Sequence, residues 1–203
     1  MAIGVALFWT IVGGVLFPAG FFLFNQFVRF RDRTLDDVIE FLINPEHEDS
    51  RTVFDAQIEQ ELRFLKVKRN FRRTQRRRLD LVRRYFRTMM YDMRIVVEWA
   101  NTEWKDMMYL HAEDEYDADT HELMKLIRKK GKLFLFMAFL RLGYVWFLMF
   151  SLRIGVLPIP GIARLYKLAG IDMLKLYDQV KAASAQWAAT CDEEYGQQIL
   201  QRM

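Results

Sequence analysis

The sequence predicts an all-α membrane protein with an N-terminal transmembrane helix, a long charged amphipathic helical arm, a second membrane-inserted apolar helix and a short C-terminal amphipathic helix. Three observations carry this. No charged residue occurs from Ala2 to Val28, and neither Pro nor Gly occurs from Glu46 to Lys130. The chain is 52% apolar and 15% aromatic yet 28% charged, so the two characters must occupy separate stretches. Ten Gly and four Pro in 203 residues leave too little turn chemistry for sandwiches, barrels or glycine-rich nucleotide-binding folds. A single cysteine, Cys191, excludes an intrachain disulfide, a Cys-rich zinc site and an iron–sulfur cluster.

The composition changes divide the chain into an anchor over 1–30, an inner-side helical arm over 31–132, a second membrane-inserted helix over 133–155 and a helical tail over 156–203. Within the arm, 66–87 is basic and 113–122 acidic. The uncharged N-terminal run exceeds the ~20 residues that cross a ~30 Å hydrocarbon core, and it lacks the basic start of a cleavable signal. Arg29, Arg31 and Arg33 follow it against Asp32 alone, which by the positive-inside rule puts residues 31–132 on the matrix or cytoplasmic side. Ala2, Ala6, Thr10 and Gly14 recur at every fourth position and lead to Pro18. Small residues at that spacing form a ridge on which another helix packs closely in lipid. Pro18 cannot donate to the carbonyl of Gly14 and bends the helix.

Thr34 and Asp37 have the spacing of a capping box. They open a short helix with Leu35, Val38, Ile39 and Leu42 on one side, expected to lie along the membrane surface. Beyond Pro45, Ser50 or Thr52 caps the long helix. At 100° per residue, apolar positions from Phe64 and Phe71 through Leu79, Phe86, Met93 and Met107 share one arc of about 120°. One helix of more than forty residues, ~65 Å long, explains this phase. Gln75 and Arg78 make the stripe polar and predict looser contact there. The rest of the chain looks too short to cover the stripe, which leaves it for partners.

Opposite the stripe, Lys66 to Arg87 holds eleven Lys and Arg and one acid, Asp80. Arg69, Arg72, Arg73, Arg76, Arg83, Arg84 and Arg87 form the basic face. A solvated face normally mixes both signs, nucleic acid would use such a row for phosphates, and anionic lipid or an acidic protein would use it too. The attached anchor favours lipid or protein. Acids gather instead from His111 to Glu122. There His111 with Glu115, or Asp117 with His121, has the spacing of a shared helix face, but no Glu-x-x-His, His-Glu-x-x-His or calcium-loop glycine accompanies them. A helix-to-helix corner or an acidic patch read by a basic partner is the plainer account.

The second apolar run, Leu133 to Leu152, carries Arg141 near its middle. A central Arg costs ~2.5–3.5 kcal/mol against ~0.3–0.6 returned by each Leu, Phe or Val, which favours spanning over lying in the interface. Arg128, Lys129, Lys130 and Lys132 hold its start at the inner side. Level with Arg29, Arg31 and Arg33, they predict a collar for an anionic phospholipid such as cardiolipin. Arg141 has no acid in its own segment, which predicts a partner acid or phosphate inside an assembly. Pro158, Pro160 and Gly161 break the chain, and Asp172 to Ala189 forms a closing helix with Leu174, Tyr177, Val180, Ser184 and Trp187 on one side.

Neither apolar run contains His, Asp, Glu or Lys, so neither offers a haem ligand or a proton-relay carboxylate. No Walker A, Rossmann, nucleophile-elbow or kinase signature occurs. The chain therefore reads as non-catalytic, with no cofactor and with other subunits and membrane lipids as partners. An anchor followed by a charged helical arm looks like the accessory subunits of respiratory complexes and ATP synthases in mitochondrial or bacterial inner membranes. This is a similarity of layout without a shared motif. The alternative is a membrane-tethered nucleic-acid or ribosome binder acting through residues 66–87.

Overall fold

The computed structural model describes residues 30–42, 68–109, 118–154 and 172–203. These hold five helices and no strand: α1 (Leu35–Phe41), α2 (Lys68–Tyr109), α3 (Ala118–Ile154), α4 (Met173–Cys191) and α5 (Glu193–Arg202). Several expectations fall outside the described residues: the run 2–28 with Ala2, Ala6, Thr10, Gly14 and Pro18, then Arg29, the caps Ser50 and Thr52, His111, Glu115 and Asp117, and the Pro158 to Gly161 break. The described residues from Asp32 onward belong to one compact unit.

The capping box opens α1 as its spacing requires. Asp37 N–H donates to Thr34 Oγ1 at 3.4 Å, and Thr34 N–H donates to Asp37 Oδ2 at 3.0 Å. The Thr34 backbone N–H first, then its side chain, hydrogen-bond the Asp37 carboxylate and hold it below its ordinary value. The apolar side of α1 does not face a membrane surface. Val38, Ile39 and Leu42 are buried, because α1 packs on α2 and α5. Tyr195 hydroxyl donates to Asp36 at 3.0 Å, and the Arg202 guanidinium donates to the Ile39 carbonyl.

The long helix α2 has 42 residues and runs antiparallel to α3. Arg83 lies at Trp146, Val97 at Gly131, Asn101 at Arg128 and Trp104 at His121. Its stripe of Leu79, Val82, Phe86, Met89, Met93, Val97 and Ala100 is buried. Contrary to the sequence expectation, the chain covers this stripe itself, because α3 and α4 both pack on α2. Gln75 and Arg78 are buried as well, so the polar step is enclosed. From Ile95 to Ala100 every residue is buried, Glu98 included. Here α1, α3 and α4 meet α2 from different sides.

The apolar run from Leu133 is not a separate element, for one helix runs from Ala118 through Gly131 to Ile154. Gly131 brings the axes together. A Cβ there would fall 2.3 Å from Val97 Cγ2, so any larger residue pushes α3 off α2. By length and composition alone, Asp119–Arg153 is able to cross a membrane.

Asp172 caps α4 by accepting from Lys175 N–H at 3.3 Å. The helix runs alongside α2 in the same direction, with Tyr177 near Asp92 and Trp187 on Trp99. Its buried side holds Tyr177, Val180, Ser184 and Trp187, four of the five residues the spacing predicts, while the fifth, Leu174, is half-buried. Asp192 ends α4 and caps α5, accepting from Glu194 N–H at 2.9 Å. At the turn-back, a Cβ on Gly196 would lie 2.8 Å from the Ala185 carbonyl oxygen.

Candidate functional site

The described unit spends its interior on packing and leaves two unusual surfaces. The first is cationic. Arg72, Arg73, Arg76, Arg77, Arg84 and Arg87 are exposed along α2, and Arg83 is half-buried. Arg69 stands in the first turn of α2 with its side chain outside the description. Asp80 pairs with Arg83 and with Arg84, each at 3.0 Å, and one carboxylate cannot neutralise seven guanidiniums. On a helical wheel Arg72, Arg76, Arg83 and Arg87 form one row. Arg73, Arg77 and Arg84 lie roughly 80–120° further round. The first row borders α3, for the Arg83 guanidinium sits over the Trp146 ring at 5.4 Å.

The second surface is apolar and lies on α3. Leu133, Leu140, Trp146, Phe147 and Phe150 are between 42% and 60% exposed. With Phe136 and Gly143 they recur every three or four residues, which makes one uncovered helix face. Only 39% of the most apolar part of α3 is buried inside the unit, so most of it faces outward. Lys129 and Lys132 stand exposed at one end and Arg153 at the other.

The described residues of the predicted collar have different surroundings. Arg33 and Arg128 do come to one level of α2. Arg33 Nε reaches Glu98 Oε2 at 2.6 Å and its backbone N–H reaches Thr102 Oγ1 at 3.1 Å, while Arg128 Nε donates to Asn101 Oδ1 at 2.9 Å. These groups serve the fold. Arg33 also lies over Phe41 and Arg128 over Trp104, at 5.0 and 4.4 Å. Lys130 donates to Gln179 at 2.9 Å, leaving Arg31, Lys129 and Lys132 exposed. Arg141, expected to meet a lipid phosphate or a partner acid, is 1% exposed.

Two buried polar centres escaped the sequence reading. Glu98, 1% exposed, accepts from Arg33 and, at 2.8 Å, from Arg94. It lies on the back of the helix, opposite the stripe, where a charged residue reads as solvated. The available signal was Ile95-Val96-Val97-Glu98-Trp99-Ala100, a turn and a half that is apolar all round and therefore surrounded. The second centre joins Asp92 to Tyr177. The Tyr177 hydroxyl donates to the Met203 carbonyl at 2.9 Å, and Asp92 Oδ2 stands 3.4 Å away. Burial first, then the Asp92 charge, pushes the phenol well above its ordinary value.

Among the described residues no three His, Cys, Asp or Glu groups gather as metal ligands. His121 lies against Trp104, ring centroids 4.7 Å apart, and Cys191 is an exposed thiol. Comparison with known proteins adds no relative: no family model, curated protein or solved structure matches the chain significantly.

Proposed function

We propose that this chain is a non-catalytic, membrane-anchored accessory subunit of a multi-subunit assembly in an energy-coupling inner membrane, mitochondrial or bacterial, acting through its surfaces. The observation that carries this reading is the single-signed row of α2. Among the described residues, exposed Arg73, Arg77 and Arg84 have one ion pair, Arg84 with Asp80, and such a cationic surface complements an acidic one on another molecule. The anchor at 2–28 and the layout of the sequence supply the membrane and the compartment. Acidic surfaces of neighbouring subunits are the fitting partners. Extraction in mild detergent, followed by native electrophoresis and mass spectrometry, tests the reading. Co-migration with other membrane subunits is expected, and migration as a lone monomer overturns it.

A second reading draws on the same arginines, with nucleic-acid phosphate or ribosomal RNA as the anion. Such binding weakens steeply with salt, by a slope of ~0.7–0.9 per phosphate neutralised. Of the aromatic residues near the row, Phe86 of α2 is buried and unavailable for stacking on bases, whereas Trp146 beside Arg83 is 49% exposed. The full chain is the proper reagent, because excising α2 would bare a stripe that α3 and α4 cover. Absence of salt-sensitive RNA or DNA retention removes this reading.

A further inference from the structure

The exposed face of α3 from Leu133 to Phe150 is ~25 Å long and carries no charge along its centre. From Leu123 to Ile154 the helix contains no acid at all, and its two ends are marked by Lys129, Lys132 and Arg153. Along its flank Arg83 lies over Trp146, with Arg72, Arg76 and Arg87 on the same row of α2. Aromatic side chains beside a cationic border whose one paired acid is Asp80, on Arg83, are the chemistry that sits where acyl chains meet phosphates.

We infer that the bundle lies with α3 in the plane of the membrane, its Leu133–Phe150 face sunk into the interfacial zone of one anionic leaflet and the Arg72–Arg76–Arg83–Arg87 row on that leaflet's phosphates. The inference rests on the membrane-anchored reading above and adds which surface meets lipid and at what angle. Spanning is the competing geometry, and the neighbour of α3 opposes it. Because α2 runs antiparallel beside α3, with Val97 at Gly131 and Arg83 at Trp146, upright insertion of α3 carries exposed Arg84 and Arg87 into the hydrocarbon. Each costs ~2.5–3.5 kcal/mol at the bilayer centre. In the plane, both stay at the surface while every exposed apolar residue of α3 still leaves water. A protein occupant would need a continuous acidic rim along both ends and one side of the face, which an anionic leaflet supplies everywhere.

The test uses the full chain with Cys191→Ser and single cysteines at Leu133, Leu140, Phe150 or Val15, each spin-labelled. The protein is reconstituted in vesicles of equal parts phosphatidylcholine and phosphatidylglycerol, and depth is read from accessibility to oxygen and to a nickel chelate. The three α3 labels are expected at one shallow depth, roughly 5–10 Å below the headgroups, with Val15 far deeper. Depths that change by ~1.5 Å per residue along α3 overturn the in-plane geometry in favour of spanning. Aqueous α3 labels beside a deep Val15 overturn the lipid contact and leave the anchor reading standing. Aqueous labels at all four positions overturn both. Arg76→Gln with Arg87→Gln is expected to lower the ratio of lipid-embedded to aqueous α3 labels by roughly fivefold per cation with phosphatidylglycerol present, and not in phosphatidylcholine alone. An unchanged ratio overturns the role of the arginine row.

Discussion

Trp99 of α2 and Trp187 of α4 stack face to face, their ring centroids 3.8 Å apart and their planes inclined by 12°. Both are almost fully buried, and the Trp99 indole N–H donates to Glu103 at 3.1 Å. The stack joins the long helix to a tail that begins more than sixty residues later in the chain, so it forms only when α4 docks.

Replacing Trp187 with Ala removes the largest side chain of α4 from the core and is expected to cost about 3–5 kcal/mol. The stacked pair should also give a strong excitonic band in far-ultraviolet circular dichroism. Thermal unfolding in mild detergent reads the first effect, and disappearance of the band in Trp187→Phe reads the second. A wild-type band that survives this change would mean that the rings do not stack.

Gly131 gives a sharper test of the α2–α3 contact. Gly131→Ala is expected to destabilise the unit by about 1–3 kcal/mol, since overpacking at a tight contact forces the axes apart. Val97→Ala removes the atom that a Cβ would strike. Adding it to Gly131→Ala should therefore recover much of the loss, a coupling that a double-mutant cycle measures directly.

The two ion pairs of the α1 entry should behave differently. Glu98 is 1% exposed between Arg33 and Arg94, and Glu98→Ala leaves two partly buried guanidiniums without their carboxylate, costing about 2 kcal/mol or more. Asp32 and Lys105 pair at 2.9 Å with side chains 75% and 54% exposed. Asp32→Asn should leave the melting temperature unchanged, because solvent screens such a pair.

Tyr177 sets an alkaline dependence. The phenol ionises near pH 10 in the unfolded chain, whereas burial keeps it protonated well beyond that in the fold. The folded state then holds the extra proton. The contribution is intact below pH 10 and is lost progressively as pH rises above it. Tyr177→Phe cannot ionise, so its stability should fall less steeply between about pH 9 and pH 11. At neutral pH it should cost about 1 kcal/mol for the missing hydrogen bond. Equilibrium unfolding across that range reads both effects.

Arg73, Arg77 and Arg84 are exposed and face away from α3, so changing all three to Gln should leave thermal stability as it was. Loss of the partner bands on a native gel, with the monomer still folded, is the expected result for an acidic partner. Retention of every band would move the contact elsewhere.

Local chemistry made a good part of the helix pattern legible. Thr34 and Asp37 lie three residues apart, so a capping box was readable without any tertiary contact. The same holds for the phase of the stripe on α2 and the buried side of α4. Periodicity reports which face of a helix is apolar because that depends only on the turn of the backbone. It does not report what covers the face. The stripe on α2 seemed in want of a partner because covering area depends on how α3 and α4 fold back, a matter of contacts between residues far apart in the chain.

The same limit governs the charged groups. Arg33, Arg128 and Arg141 are indistinguishable in sequence from the lipid-facing arginines of a collar. Only the docking of α1 onto Glu98, and of α3 onto Asn101, decides that Arg33 and Arg128 are held within the bundle, and only enclosure removes Arg141 from the surface. The charge pattern itself determined that α2 has an arginine back and that α3 is apolar enough to enter a membrane. The tertiary structure decided that these two surfaces lie side by side, joined at Arg83 and Trp146. Burial and ion pairing are properties of neighbours, and neighbours are fixed by packing rather than by order along the chain.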